Sequence, residues 1–147
     1  MSLKARVTDD MKAAMRAKDA PRLSAIRLLL SAMKQKEVDE RVELSDADVV
    51  AIIDKMLKQR RESIAQFEKG GRQDLADKEA AEILILEAYL PPAADPAAVE
   101  NAVSGAIAET GATSLRDLGR VMADVMPQVA GRADGSVVSQ LVREKLA

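Results

Sequence analysis

The sequence predicts an all-α protein, with an N-terminal four-helix subdomain and a C-terminal three-helix subdomain. Apolar residues recur every three or four positions in each segment, whereas no segment alternates at period two for long enough to form a strand. The apolar residues are mostly Ala, Leu, Val, Ile and Met, and Phe67 and Tyr89 are the only aromatic residues. Such side chains favour helix formation and allow neighbouring helices to pack closely.

Helix-start and helix-stop signals place the first four helices. Asp19-Ala20-Pro21 ends the first helix and opens the second, because proline suits the first turn of a helix. Ser45 with Asp48 has the pattern of a capping box at the start of a long third helix. Gly70-Gly71 ends that helix, and a fourth helix runs on to Pro91-Pro92.

The Pro- and Ala-rich stretch Pro91–Pro96 predicts a boundary between two domains, residues 1–92 and 93–147. Within the second domain, the sixth helix is expected to stop at Pro127, since proline lacks the N–H that continues a helix. Asp134 is expected to cap the seventh helix, because its carboxylate can accept backbone N–H groups of the first turn.

Composition narrows the range of functions. The chain has no Cys and no His, which excludes disulfides, Cys-ligated zinc, a thiolate nucleophile and an imidazole base. No catalytic constellation, metal cluster or cofactor motif is found, and we predict none. The formal charge of −2 does not suit a general DNA-coating protein. Without a signal peptide or a membrane-length apolar run, the sequence predicts a cytoplasmic protein that does not insert in membranes.

Two charged positions interrupt the apolar stripes of the third and fourth helices. Arg60 lies ten residues before the Gly70-Gly71 turn and Glu82 eleven after it, so both lie about 15 Å from the turn. The spacing predicts an Arg60–Glu82 ion pair within a polar layer. The layer either fixes the helix register or lines a pocket for a small ligand. Its other expected members are Glu79, Gln59, Ser63 and Arg27.

Clusters of basic residues are the candidates for binding. They could contact phosphate groups, or they could be ordinary solvated surface. The start of the seventh helix also offers backbone N–H groups to an anion. The candidate RNA-binding residues are Lys55, Lys58, Arg61, Lys69 and Arg72 along the third helix and its turn, and Arg116, Arg120 and Arg132 in the C-terminal domain.

Two stretches of the chain carry a family pattern. The first reads KQRRESIAQFEKGGRQDLADKEAAEILILEAYLP, from Lys58 to Pro91. The second, from Gly119 to Gly135, contains Met126-Pro127 and Gly131-Arg132. With these residues the chain resembles the YqeY family and the C-terminal tail of GatB, a component of the glutamine-dependent aspartyl/glutamyl-tRNA amidotransferase. Arg27, Ser31 and Ala32 also fit the second helix of that family.

The resemblance implies an all-helical protein of two subdomains that corresponds to the tRNA-recognising tail of GatB. It therefore favours a non-catalytic, tRNA-binding type of accessory module. Two alternatives remain: a protein–protein adaptor of an amidotransferase or a tRNA synthetase, and a carbon–nitrogen ligase with glutamine as amido-N-donor, which only the family label implies. The sequence names neither a particular RNA nor a protein partner.

Overall fold

The computed structural model describes residues 1–129 and 132–147, and it confirms the all-α prediction. In these ranges the regular structure consists of seven α-helices and one short 3-10 turn, with no strand. The helices are α1 (Leu3–Ala17), α2 (Ala20–Glu40), α3 (Asp46–Lys69), α4 (Gln73–Glu87), α5 (Pro96–Thr110), α6 (Leu118–Val129) and α7 (Gly135–Leu146), and the 3-10 turn is Leu115–Asp117. The chain packs as two compact units, Met1–Leu90 and Pro91–Ala147.

The first unit contains α1 to α4, of which α3 and α4 form a helical hairpin. Gly71 closes the hairpin with a φ of 72°, a conformation that glycine adopts without a steric penalty. The backbone N–H of Arg72 then donates to the carbonyl of Phe67 at 2.8 Å. The buried apolar side chains that form the core cluster of this unit are Val7, Ile26, Leu29, Met33, Leu44, Val49, Ile53, Met56, Leu57, Leu86 and Tyr89.

The capping box predicted at the start of α3 is confirmed. The carboxylate of Asp48 accepts the backbone N–H of Ser45 at 2.9 Å, and the Ser45 hydroxyl accepts the N–H of Asp48 at 3.2 Å. At its other end the hairpin stops earlier than predicted, because α4 ends at Glu87. The N–H of Tyr89 donates to the carbonyl of Leu86, three residues earlier. The backbone therefore forms a tighter, 3-10-type turn before it reaches Pro91.

The second unit contains α5 to α7 around a core built mainly of valine. A fully buried valine contributes about 1.5–3 kcal/mol relative to an exposed one, and its restricted χ1 angle fits a helix in essentially one rotamer. The buried side chains of this unit are Val99, Val103, Ala106, Val121, Val125, Val129, Val138, Val142 and Leu146.

The expectation that α6 stops at Pro127 is wrong. The helix continues through Pro127 to Val129. Val125 is fully buried and Val129 retains 4% exposure. The apolar packing of this last turn compensates for the loss of the backbone hydrogen bond that Pro127 cannot donate. The next helix begins as predicted: the carboxylate of Asp134 accepts the N–H of Ser136 at 2.8 Å.

Candidate nucleic-acid interface

Three lysines of α3 lie on one side of the helix. Lys55, Lys58 and Lys69 are exposed, and none of them forms an ion pair with a carboxylate of residues 1–129 or 132–147. At 100° per residue they lie within about 60° of one another around the axis. Lys55 and Lys69 are about 21 Å apart along it. Because Glu62 is exposed on the same side, this lysine face has a net formal charge of +2, three lysines less one glutamate.

The two arginines predicted to extend this basic strip are paired with carboxylates instead. Arg61 lies 3.6 Å from the carboxylate of Glu87 on α4. Arg72 makes two hydrogen bonds with Asp74, at 3.1 and 3.0 Å, and this contact lowers the pKa of Asp74. The structure therefore divides the five predicted cations into three unpaired lysines and two paired arginines.

In the second unit, Arg116 and Arg120 flank a carboxylate. Arg120 lies 3.0 Å from Asp117, whereas Arg116 is exposed. The carboxylate of Asp117 also accepts the backbone N–H groups of Thr113 and Ser114, at 3.0 and 3.4 Å. The bond from Thr113, followed by the bond from Ser114 and the charges of the two arginines, lowers the pKa of Asp117. Only Arg116 of this pair is thus open to an external anion.

Arg132 is exposed just before α7. Its Nε donates to the carbonyl of Pro92 at 3.4 Å, and its own carbonyl accepts the N–H of Ala94 at 2.8 Å. The helix terminus beside it already holds a negative group, since Asp134 accepts both the N–H and the hydroxyl of Ser136. Asp134, two residues after Arg132 in the chain, therefore already places a negative charge at this helix terminus.

Arg60 and Glu82 form an ion pair in the interior of the first unit. The Nε of Arg60 lies 3.1 Å from Oε2 of Glu82, and each residue retains 9% exposure. Oε2 of Glu79, on the preceding turn of α4, lies 3.8 Å from the same nitrogen. The arginine therefore bridges two carboxylates of α4 from its position on α3.

The remaining members expected in the polar layer lie elsewhere. Gln59 is exposed and Ser63 is partly buried, and both line depressions on the surface of α3. Arg27 is exposed on α2, in a depression that also includes Ser31. The buried layer thus consists of charged groups from α3 and α4, and the polar side chains around it face outward.

A second polar contact, which no pattern in the sequence predicts, joins α1 to the chain after α4. The hydroxyl of Tyr89 donates to Oδ2 of Asp10 at 2.6 Å. The guanidinium of Arg6 lies 4.9 Å from the centre of the Tyr89 ring and donates to the carbonyl of Ala88 at 3.2 Å. Burial, and then the bond to Asp10, raises the pKa of Tyr89 well above its ordinary value.

The described residues hold neither a metal-type cluster nor a membrane-spanning helix. No group of three or more aspartate and glutamate side chains there is arranged to hold a metal ion. No described helix is long and apolar enough to cross a membrane.

The fold and its exposed cations define an all-helical protein of two small units that has a basic face on one helix. This chain belongs to the family described as Yqey-like protein, whose model matches residues 4–146. The match confirms the resemblance to the YqeY family, and it includes both units.

Curated relatives carry the name "Altered inheritance of mitochondria protein 41, mitochondrial". The protein of Kluyveromyces lactis is 44% identical over 86 residues, which are 58% of this chain and 46% of the relative. The protein of Lachancea thermotolerans is 40% identical over 110 residues, 71% of this chain and 58% of the relative. That of Pyrenophora tritici-repentis is 30% identical over 142 residues, 95% of this chain and 78% of the relative.

These relatives correct the cytoplasmic prediction, because they are named as mitochondrial proteins. The prediction depended on the lack of a targeting signal at the start of the sequence. The chain spans about half the length of the first two relatives, 46% and 58%. The absence of such a signal from the shorter sequence therefore says nothing about where the protein resides.

Proposed function

We infer that this protein is a non-catalytic accessory module that binds structured RNA of the tRNA class. The observation that carries the proposal is the lysine face of α3, formed by Lys55, Lys58 and Lys69. These cations have no carboxylate partner in the described chain, whereas Arg61 and Arg72 do. Cations that are not already neutralised release counterions from phosphates when they bind, and this release drives association with nucleic acid.

The mode of recognition follows from the two aromatic residues. Tyr89 retains 4% exposure, and Phe67 is partly buried. Proteins that read single-stranded RNA stack the bases on exposed aromatic rings. Because this chain offers no such platform in its described residues, binding would depend on contacts between lysines and the phosphates of a folded RNA.

The second unit would add weaker contacts. Arg116 and Arg132 are exposed there. Arg116, however, interacts with the charge of Asp117, and Asp134 follows Arg132 two residues later in the chain. These carboxylates oppose the approach of a phosphate. The α3 lysines are therefore the main contact in this proposal, and the two arginines are secondary.

The test is the salt dependence of binding between the full chain and fluorescently labelled total tRNA. Three phosphate contacts give a plot of log affinity against log salt with a slope of about −2.7. The slope would be steeper if the arginines of the second unit also bind. An absence of binding at low ionic strength, or an affinity that does not change with salt, would reject the proposal.

A further inference from the structure

A groove lies between the second half of α2 and the first half of α3. Its lining includes Ala32 from α2, and Ile52 and Met56 from α3, so its floor is largely apolar. Its volume is about 590 Å³. Ala32 and Ile52 are only partly buried, which leaves apolar surface in contact with water inside a concave site. Concave apolar surface of this kind suits the apolar side of a bound helix.

The groove continues along α3. Gln59 lines both this groove and a neighbouring depression that includes Ser63 and Phe67. From Ala51 to Phe67 the helix advances sixteen residues, or about 24 Å. An α-helix of a little over four turns has the same length. The groove and the depression, which is lined by α3 residues alone, are together called the α2–α3 groove below. Their combined length matches that of a helical ligand.

The two sides of the groove carry opposite charges. On α2, Asp39 and Glu40 line one side, and on α3, Lys55 lines the other. Glu40 and Lys55 are exposed, and neither has an ion-pair partner among the residues that the structure describes. Lys36, which also lines the groove, lies 3.9 Å from Asp48. Where the groove lies between the two helices, the available charges are thus acidic on the α2 side and basic on the α3 side. Further along α3, the exposed Glu62 lines the neighbouring depression.

Two polar side chains lie between the apolar parts of the floor. Gln59 and Ser63 make no side-chain hydrogen bond within the described chain. The sequence placed both in the buried layer around Arg60, but they line the groove instead. They can therefore donate to and accept from a ligand without breaking an existing bond.

We propose that the α2–α3 groove binds an amphipathic helix of a partner protein. The apolar side of that helix packs on Ile52 and Met56 and reaches Phe67 at the far end. A carboxylate of the partner meets Lys55, and a basic residue meets Asp39 and Glu40. This surface differs from the lysine face proposed above for RNA binding, although Lys55 and Glu62 belong to both.

A helix fits this groove better than RNA does. An apolar floor offers nothing to a phosphate, and the carboxylates of Asp39 and Glu40 would repel one. An amphipathic helix uses all three features, since it combines apolar anchors with charges of both signs.

The test uses two designed helical peptides of about 18 residues. Both have leucine at every third or fourth position and lysine on one flank of the leucine stripe. On the opposite flank the first peptide has glutamate and the second has lysine. Binding to the full chain is followed by fluorescence anisotropy. We expect the glutamate peptide to bind the native chain about tenfold more tightly than the lysine peptide, and Lys55→Glu to reverse this preference.

The chain offers a matched pair of control substitutions. Ala51 and Ala65 are both exposed alanines of α3, but only Ala51 lines the groove. Ala51→Arg should weaken the glutamate peptide about tenfold, whereas Ala65→Arg should leave its affinity unchanged. Circular dichroism should show the same helix content and melting temperature for both variants.

Several results would overturn the proposal. These are a lack of binding by either peptide, equal binding of both to the native chain, and equal effects of the two arginine substitutions. Loss of tRNA affinity in Ala51→Arg, without the same loss in Ala65→Arg, would assign the groove to RNA and would also overturn it. Because Ala51→Arg retains all three lysines of the lysine face, failure of the groove leaves the test of RNA binding intact.

Discussion

Arg60 on α3 and Glu82 on α4 lie 3.1 Å apart, between two helices that run in opposite directions from a glycine turn. Both side chains are almost wholly buried. A one-residue slip of either helix would rotate one charge away from the other by about 100° and leave both without their partner. The pair therefore fixes how α3 aligns with α4, and its net contribution to stability is expected to be small.

Removing one member of this pair should destabilise the protein strongly. Arg60→Met leaves Glu82 buried without a partner, at a cost of about 3–5 kcal/mol. Glu82→Leu should cost less, because Glu79 lies 3.8 Å from Arg60 and can still neutralise it. Urea unfolding of the full chain, followed by circular dichroism, measures both free energies.

The double variant Arg60→Met with Glu82→Leu provides the control. It removes both buried charges and replaces them with apolar side chains of similar size, so most of the stability lost in Arg60→Met should return. If the two substitutions were additive, the side chains would not interact as the structure indicates.

Ionisation of Tyr89 should require a higher pH in the folded chain than in the unfolded chain. Burial and the bond to Asp10 raise the pKa of Tyr89 above its ordinary value of 10.0. The folded chain therefore favours the protonated phenol. The stability that this preference contributes is complete below pH 10.0 and decreases as the pH rises above that value. Tyr89 is the only tyrosine and tryptophan is absent, so near-ultraviolet absorbance of the phenolate reports this residue alone.

Asp10→Asn should move the ionisation of Tyr89 to lower pH, because it removes the carboxylate that accepts the hydrogen bond from the Tyr89 hydroxyl. Asp9→Asn is the matched control, since Asp9 is the exposed neighbour of Asp10. An equal change in both variants would indicate a general charge effect and contradict the direct contact.

The capping box at the start of α3 should make stability depend on pH in acid. The backbone N–H of Ser45, then its hydroxyl, and the charge of Lys36 lower the pKa of Asp48 below its ordinary 3.8. The ionised carboxylate therefore contributes stability above pH 3.8, and this contribution is lost as the pH falls through the lower, folded-state pKa.

Comparison of the native chain with Asp48→Asn tests this dependence. The difference between their urea midpoints should be largest near neutral pH and should shrink below pH 3.8. A difference that stays constant, or that grows in acid, would contradict the role of the ionised carboxylate in the cap.

Neutralising the lysine face should reduce the salt dependence of tRNA binding more than neutralising paired arginines. We expect the triple variant Lys55→Gln, Lys58→Gln, Lys69→Gln to lower the magnitude of the slope by about 2–3. The control variant Arg61→Gln, Arg72→Gln, Arg120→Gln changes the net charge equally. It should have a smaller effect, because each arginine already faces a carboxylate. A larger change in the slope for the arginine variant than for the lysine variant would contradict the proposed interface.

Local signals in the sequence were sufficient for most helix boundaries. The Ser45–Asp48 capping box and the Asp134 cap depend on residues two or three positions apart. The bonds that such residues form are decided within a single turn. The end of α4, at Glu87, and the passage of α6 through Pro127 are exceptions. Whether proline ends a helix depends on what the following residues pack against. In α6, Val125 and Val129 pack in the core of the second unit, and the last turn therefore stays helical.

The sequence was also sufficient to predict that Arg60 and Glu82 lie at the same distance from the Gly70-Gly71 turn. The rise per residue of a helix fixes that distance once the turn is located. The sequence could not show that Gln59 lines a groove with α2, since that depends on how far α2 lies from α3. Nor could it separate Lys58 from Arg61, because the partner of Arg61 belongs to α4, 26 residues later in the chain.

The all-helical fold, the helix caps and the family were thus readable from the amino-acid order, because they depend on residue type and short-range spacing. Folding in three dimensions settled which cations remain unpaired, which polar groups are buried and where an open groove lies. Each of those outcomes requires side chains that are distant in the sequence to meet, or to fail to meet, in space.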